Sequence, residues 1–475
     1  MTLPAKFVER VLRDLGGTEG AALCAALDAE PPVSVRLNPA KTGADTLPAG
    51  PDAGLPVPEA AGLPALAIAG RVPWSRDGRY LAVRPSFTLD PDFHAGAYYV
   101  QEASSQFVGH LLAAVRTEGA RILDLCAAPG GKTTLYASLA GPDGLVVANE
   151  IDRRRASVLA DNVRKWGTGN VAVTTCEPRA LGDFEAWFDV VAVDAPCSGE
   201  GMFRKDPAAR GEWSENNVRQ CAARQDDILR EAWRALRPGG TLIYSTCTFN
   251  RDEDEGSLER MLAWAGDEVA APYPVDVDPA WGIVEGEVGP FRTFRFFPHR
   301  TVGEGFFAAV ARKAPDAPGR QRLPKGRRSM VAPADRASAG ELRRWVREPD
   351  RMVFGTVAGT GYAWYGEQAE AVKTLSEALP VICSGVALGQ LFKGRLKPDP
   401  ALAFFDGLER GAVPVAGLDD EQALRYLRRQ EVAAGALAEG VNLVTARGRA
   451  LGFAKRIGAR VNNMYPNSLR ILRQE

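Results

Sequence analysis

The chain has 475 residues, 45% of them hydrophobic, enough for two or three domains that each bury a core. Its formal net charge of −1 excludes a uniformly basic nucleic-acid coat, so any contact with a polyanion must come from local patches. Seven cysteines without a CxxC pair fit neither a disulfide framework nor a zinc site, three histidines are too few to centre acid/base chemistry on, and no apolar run approaches a membrane span. These features, with no signal-peptide pattern at the N-terminus, predict a reduced, cytoplasmic protein.

In chain order, apolar residues at helical spacing (Phe7, Val8, Val11, Leu12, Leu15, then Leu23 and Leu27) predict two short helices between Pro4 and Leu27. A strand over 33–37 leads into RLNPAK. The stretch from Gly43 to Pro73 is rich in Ala, Gly and Pro and reads as connective, followed by a short strand over 80–83. Residues 97–112 begin as a strand and become a helix with Ser104 or Ser105 as N-cap.

The organising stretch is RILDLCAAPGGKTT, from Arg121 to Thr134. A strand ending near Asp124 runs into a turn of small residues and then a helix, which is how a cofactor cradle is built: glycines let a ligand approach the backbone, and the helix start offers unpaired N–H groups. A phosphate-binding P-loop would need glycine five positions before the GK pair, where Cys126 stands, and GxGxxG is absent. A second strand over 145–150 ends in Glu150, an acid positioned to accept hydrogen bonds from a ribose.

Beyond it, the pattern predicts a helix over 152–166, strands over 171–175 and 188–194, a helix over 226–236, a turn at Gly239 and Gly240, a strand over 241–245 and a helix over 253–265. This alternation implies a mostly parallel sheet covered on both faces, with functional groups at the carboxyl ends of its strands. Strands over 293–297 and 306–312 flank a short connection and form an antiparallel pair at the sheet's end. Residues 314–339 carry prolines and the cluster Arg320, Arg322, Lys325, Arg327 and Arg328, an exposed basic linker. Short strands over 352–357, 361–365, 381–388, 394–396 and 441–445 predict a small, separate β-rich domain.

Two thiols end two different strands: Cys197, three residues past Asp194, and Cys247, in STCTFN. A lone cysteine is usually a small buried hydrophobe, but two at the functional edge of one sheet, with an acid between them and the cradle, favour chemistry. A thiolate adding to carbon 6 of a cytosine makes carbon 5 nucleophilic toward an electrophilic methyl group; a carboxyl group at ring nitrogen 3 assists, and a further acid/base removes the carbon 5 proton and frees the thiol. Asp194, Cys197 and Cys247 supply three such groups.

The segments RLNPAK, YYVQEASS, DLCAAPGGKT, VDAPCSGEGMFRKDP, YSTCTFN and PHRTVGEGFF, in that order, resemble the Nol/Nop/Sun family of RNA cytosine-5 methyltransferases and, within it, the bacterial RsmF type acting on 16S ribosomal RNA; VNNMYPNSLR resembles that type's last segment. The resemblance implies an α/β fold, a Rossmann-like class I methyltransferase sheet, with an N-terminal α+β extension (1–96), a catalytic domain (97–313), the basic linker (314–340) and a C-terminal β-rich, PUA-like RNA-binding region (341–475). It implies S-adenosylmethionine bound by Cys126, Ala127, Ala128, Pro129, Gly130, Gly131 and Lys132, with Glu150 and Asp194. Cys247 would be the nucleophile, Cys197 would assist release, and Lys132 would lie close to the target base. The family's third cofactor acid is missing from TTCEPRAL, where Glu177 is the substitute. No metal is called for, and a monomer is expected.

For RNA contact, the seven basic residues and no acid from Arg447 to Arg473, with Phe453 and Tyr465 among them, fit phosphate neutralisation with aromatic stacking, or else a solvated basic face. Arg204 and Lys205 are candidate phosphate contacts at the site's mouth. Transfer RNA is the alternative substrate. An RNA-binding assembly factor without turnover and a P-loop nucleotidase are the further competitors.

Overall fold

The computed structural model describes residues 2–43, 63–115, 117–327, 329 and 331–473. The Ala/Gly/Pro-rich stretch over 44–62 and Arg328 of the basic cluster lie outside them. No described helix is long and apolar enough to cross a membrane.

A ten-stranded mixed sheet forms the centre. Its five parallel strands are, in spatial order, Leu236–Thr246, Phe188–Asp194, Arg121–Asp124, Leu145–Asn149 and Val171–Thr174. Residues Leu145 to Asn149 are buried without exception, as expected of a parallel strand sandwiched between helices. On one flank Phe306–Lys313, Phe291–Phe296 and Val284–Val288 add antiparallel strands, so the final pair is met and extended by one more strand.

The N-terminal helices are Ala5–Leu15 and Gly17–Ala26, followed by a four-stranded sheet in the order Ile68–Arg71, Gly78–Leu81, Val33–Leu37, Tyr98–Tyr99. Toward the C-terminus lie a five-stranded sheet, from Ala332–Pro333 to Arg395–Pro398, and a four-stranded one, from Val415–Leu418 to Arg460–Asn463.

Several expectations need correction. The helix expected over 226–236 is Glu215–Ala235. Its first half buries only Val218, Cys221 and Ala222 among polar neighbours, too thin a stripe to read, and Ser214 caps it by accepting from Asn217 N. Gly239 and Gly240 do not separate helix from strand; they bulge out of one continuous strand, whose pairing jumps from Phe188↔Leu236 to Val190↔Thr241. Neither Ser104 nor Ser105 is an N-cap: the Glu102 carboxylate accepts from both of their N–H groups at 2.8 Å, and a 3-10 turn leads into Phe107–Ala113.

The run over 381–388 is two strands divided at Gly385. Val381–Ser384 pairs antiparallel with Val171–Thr174 at the edge of the central sheet, while Val386–Phe392 belongs to the five-stranded sheet. The C-terminal region is therefore not separate, because one of its strands covers an edge that would otherwise be open. It also contains helices that the strand pattern hid, Gly366–Ala378 and Asp420–Leu427.

Candidate active site

The cradle is braced from three sides. Gly130 has φ +109°, and a Cβ there would sit 3.0 Å from Leu159 Cδ1, so the turn demands glycine by conformation and by space. Buried Arg36, from the RLN segment, donates to Gln101 Oε1 (2.7 Å), Gly131 O (3.0 Å) and Thr134 Oγ1 (2.6 Å), fixing the start of Gly131–Ala140; burial lowers its pKa to about 10. Ala127 N donates to Asn149 O (2.8 Å), tying the loop to the second strand.

Asp124, at the end of its strand, is fully buried and accepts from Thr133 Oγ1 at 2.7 Å; burial pushes its carboxyl up to about 7. Glu150 is also buried, accepting from Asp152 N (3.0 Å), and Arg155 lies 3.3 Å from its other oxygen. Arg155 also reaches Ala128 O (3.0 Å), bridging acid and loop. Burial raises the pKa of Cys126, and then Asp124, Asp194 and Glu150 do, so three carboxylates surround this loop. That acid set suits a ligand carrying sulfonium and ammonium charges together with a ribose. Glu177 is exposed, ahead of helix Pro178–Gly182, and makes no capping bond. Cys176 points at Asn149 Oδ1 (3.3 Å), with its thiol pushed up to about 12 by burial, and fits the inert reading.

The two thiols meet. Phe188–Asp194 and Leu236–Thr246 are parallel neighbours with Asp194 opposite Ser245, so the loops that follow them lie side by side. Cys197 Sγ is 3.3 Å from Cys247 Sγ. Asp194 accepts from Ser245 Oγ (2.8 Å) and pairs with Lys132 Nζ (2.8 Å). Burial alone would lower the pKa of Lys132, but the charge and hydrogen bond of Asp194, and then Cys247, hold it above its ordinary value. The hydrogen bond with Cys247 first, and burial second, keep Cys197 protonated.

Beneath the thiols lies a buried polar hub that the sequence did not disclose. Glu253 accepts from Ser198 N (2.9 Å), beside Cys197, and from Asn250 Nδ2 (2.8 Å) and Gln225 Nε2 (2.9 Å). Glu200 accepts from Thr248 Oγ1 (2.7 Å) and Phe249 N (2.9 Å), beside Cys247, and from Trp213 Nε1 (2.9 Å). Asp254 accepts from Thr246 Oγ1 (2.6 Å) and faces Arg295 at 3.2 Å. Each thiol loop is thus clamped by a carboxylate that the other loop supplies. The signal was the acid run DEDE, which by composition reads as solvated surface.

Two candidate RNA contacts are overturned. Arg204 is buried against Glu304 (3.0 Å) and Gly303 O (2.6 Å), which leaves Lys205 as the exposed cation of that pair. In the C-terminal patch, Phe453 and Tyr465 are buried in the core and cannot stack on a base. Arg447 is taken up by Asp90 (2.9 Å), Asp92 (2.6 Å) and Asp420 (2.5 Å), Arg449 by Asp92 (2.9 Å), and Arg456 by Leu437 O (2.6 Å) and Ala434 O (3.1 Å). Lys455, Arg460 and Arg470 are exposed.

The parallel core of the mixed sheet, with an acid-lined glycine turn at its carboxyl edge, fits an S-adenosylmethionine-dependent methyltransferase, and the chain's matches make it one that acts on ribosomal RNA. Residues 111–312 match the 16S rRNA methyltransferase RsmB/F family, residues 3–103 the N-terminal domain of 16S rRNA methyltransferase RsmF, and residues 413–471 the RsmF PUA domain. Ribosomal RNA small subunit methyltransferase F of Shewanella loihica is 32% identical, with 84% of this chain and 83% of that protein covered; that of Escherichia coli (strain SMS-3-5) is 31% identical, with 84% of each covered. A solved methyltransferase homolog from Pyrococcus horikoshii superposes with a TM-score of 0.52 at 26% identity, covering 65% of this chain and 94% of that one. The chain belongs to the ribosomal RNA small subunit methyltransferase F family.

Proposed function

We propose that the protein, acting as a monomer, methylates carbon 5 of a cytosine in 16S rRNA, with Cys247 as the nucleophile and Cys197 assisting release. The observation that carries this reading is the pair of thiols 3.3 Å apart, beside the Lys132–Asp194 ion pair and next to the cradle. The name borne by the relatives supports 16S rRNA over transfer RNA.

The choice between the sulfurs rests on the resemblance carried by YSTCTFN, which gives the attack to Cys247; the contact with Cys247, then burial, raises the pKa of Cys197, which suits it to hold a proton. In the reaction the Cys247 sulfur bonds to carbon 6, and the electron pair of the ring's 5,6 double bond moves toward carbon 4 and nitrogen 3. A proton reaching nitrogen 3 through the Lys132–Asp194 pair neutralises that charge. The cofactor, held by the loop Cys126 to Lys132 with Glu150 and Asp194, supplies an electrophilic methyl group. Carbon 5 takes that methyl, then loses its proton; the pair re-forms the double bond, and the carbon–sulfur bond breaks with its electrons returning to Cys247. Cys197, 3.3 Å from the departing sulfur, passes its own proton to Cys247 and takes the carbon 5 proton in its place, while nitrogen 3 returns its proton to the Lys132–Asp194 pair.

Cys247→Ala should bind cofactor yet transfer no methyl group, whereas Cys197→Ala should accumulate an RNA-linked protein on denaturing gels. An active Cys247→Ala enzyme would falsify the assignment. Labelled-methyl assays on transfer RNA, naked 16S rRNA and assembled small subunits decide the substrate, and nuclease digestion of the product identifies the methylated base.

A further inference from the structure

We propose that the hairpin formed by Val386–Phe392 and Arg395–Pro398 is a second RNA-binding surface, one that grips a single-stranded segment of the substrate on its outer face. It lies outside the stretches that match the methyltransferase and PUA domains, and it rests on the RNA substrate of the family, not on which atom is methylated.

The pairing register sets the face. Phe392 pairs with Arg395 and Gln390 with Lys397, and cross-strand partners share a side of a sheet, as do residues two apart. Gln390, Phe392, Arg395 and Lys397 therefore form one outward ladder, all four exposed, while Leu396 between them is buried underneath. Phe392 is 69% exposed, the most of any phenylalanine among the described residues, with Lys393 Nζ 5.6 Å from its ring. None of Lys393, Arg395 and Lys397 forms a side-chain hydrogen bond or ion pair among the described residues, unlike the arginines at 447, 449 and 456. The neighbouring acid, Glu341, is occupied by Leu396 N (3.1 Å), Trp345 (3.3 Å) and Arg344 (3.0 Å).

The turn itself carries a cation where another residue would fold more easily. Lys393 (φ +50°) and Gly394 (φ +74°) form a two-residue loop with both φ positive, where Asn, Asp or Gly is favoured at the first place. Unpaired cations spaced along a strand neutralise phosphates, and a bare ring among them offers a stacking platform for an unpaired base. A protein-docking face would bury several apolar side chains together; here Phe392 stands alone.

The test is equilibrium binding of the full chain to an unstructured RNA oligonucleotide and to a 16S rRNA transcript over a salt series. The triple variant Lys393→Gln/Arg395→Gln/Lys397→Gln should lose at least about tenfold in affinity, with the log–log salt slope shallower by roughly 2, near 0.7 per phosphate contact. Phe392→Leu should weaken oligonucleotide binding roughly five- to hundredfold with the slope unchanged. Lys393→Asn suits the turn at least as well as lysine, so weaker RNA binding at an undiminished melting temperature isolates charge from folding. Wild-type affinity and slope in the triple variant or in Lys393→Asn overturn the electrostatic grip, and wild-type affinity in Phe392→Leu overturns the stacking. Binding of the full chain to phosphatidylglycerol vesicles that the triple variant loses, with RNA affinity unaltered by these variants, would point to a lipid partner and overturn the proposal.

Discussion

Two charge-rich stretches of this chain look alike on paper, as surface, and both are partly turned inward. After Cys247, Glu253 and Asp254 clamp the thiol loops from below while Asp252 stays exposed. The arginines at 447 and 449 also turn inward, across domains, onto Asp90 and Asp92 near the N-terminal sheet. The first cluster holds the loops that carry the two thiols, and the second sets how the C-terminal domain sits on the rest. A run of charge in a sequence says that water or an opposite charge must be near, and only the fold says which.

The sharpest way to separate the two is to empty each. Glu253→Ala leaves Ser198 N, Gln225 and Asn250 buried without their acceptor, which costs about 3–5 kcal/mol of stability, and it unpins the loop bearing Cys197. Methyl transfer at a temperature where the variant is folded should fall at least about 100-fold, as expected when reacting groups lose alignment. Thermal melts and single-turnover kinetics check both. A variant with near-normal turnover would reduce the hub to scaffolding.

Asp124 gives the next effect, and its sign is opposite to that of a salt-bridged acid. Burial raises its carboxyl from 3.8 in the unfolded chain to about 7, so between those values the folded protein holds a proton that the unfolded chain has lost. Stability should fall by a few kcal/mol as pH climbs from about 4 to about 7, and level off above. Denaturant titrations across that range should show a contribution that Asp124→Asn removes; an unchanged profile in Asp124→Asn would place the acid in water.

Arg447→Ala is the matching test on the other cluster. It strips Asp90 and Asp92 of a partner but leaves Tyr98 on Asp90 (2.6 Å) and Arg449 on Asp92, so we expect about 2 kcal/mol of destabilisation. It should leave the salt dependence of RNA binding unaltered, because an arginine already neutralised inside the protein releases no counterions. Lys455→Gln with Arg460→Gln should flatten that slope by roughly 1 to 2 with little change in melting temperature. The reverse pattern would return Arg447 to the RNA face.

What could be read in the sequence follows from the same physics. Strands such as 188–194, buried on both faces, announce themselves as apolar runs, and the thiols were found because they end two of them. Glu215–Ala235 stayed hidden because its first half is largely polar. The pairing of Val381–Ser384 with the central sheet is a contact between residues some 200 apart in sequence, which no local pattern encodes. In the site, Cys197, Cys247, Asp194 and Lys132 come together as expected, but the carboxylates that position them were masked by their resemblance to ordinary surface acids.

The smallest effect concerns the acid after the third parallel strand. Glu150 is buried with its oxygens held by Asp152 N and Arg155, so as the proposed ribose acceptor it offers an oriented carboxylate at little entropic cost. A charge-assisted hydrogen bond there is worth about 1.5–3 kcal/mol, so Glu150→Ala should weaken S-adenosylmethionine binding by roughly 10- to 100-fold in calorimetry. Glu177 is exposed and unoriented, and water competes for any donor it meets. Glu177→Ala should therefore change the same Kd by less than about threefold. Equal losses in the two variants would mean that cofactor binding draws Glu177 inward, making it the third acid that TTCEPRAL lacks at the usual place.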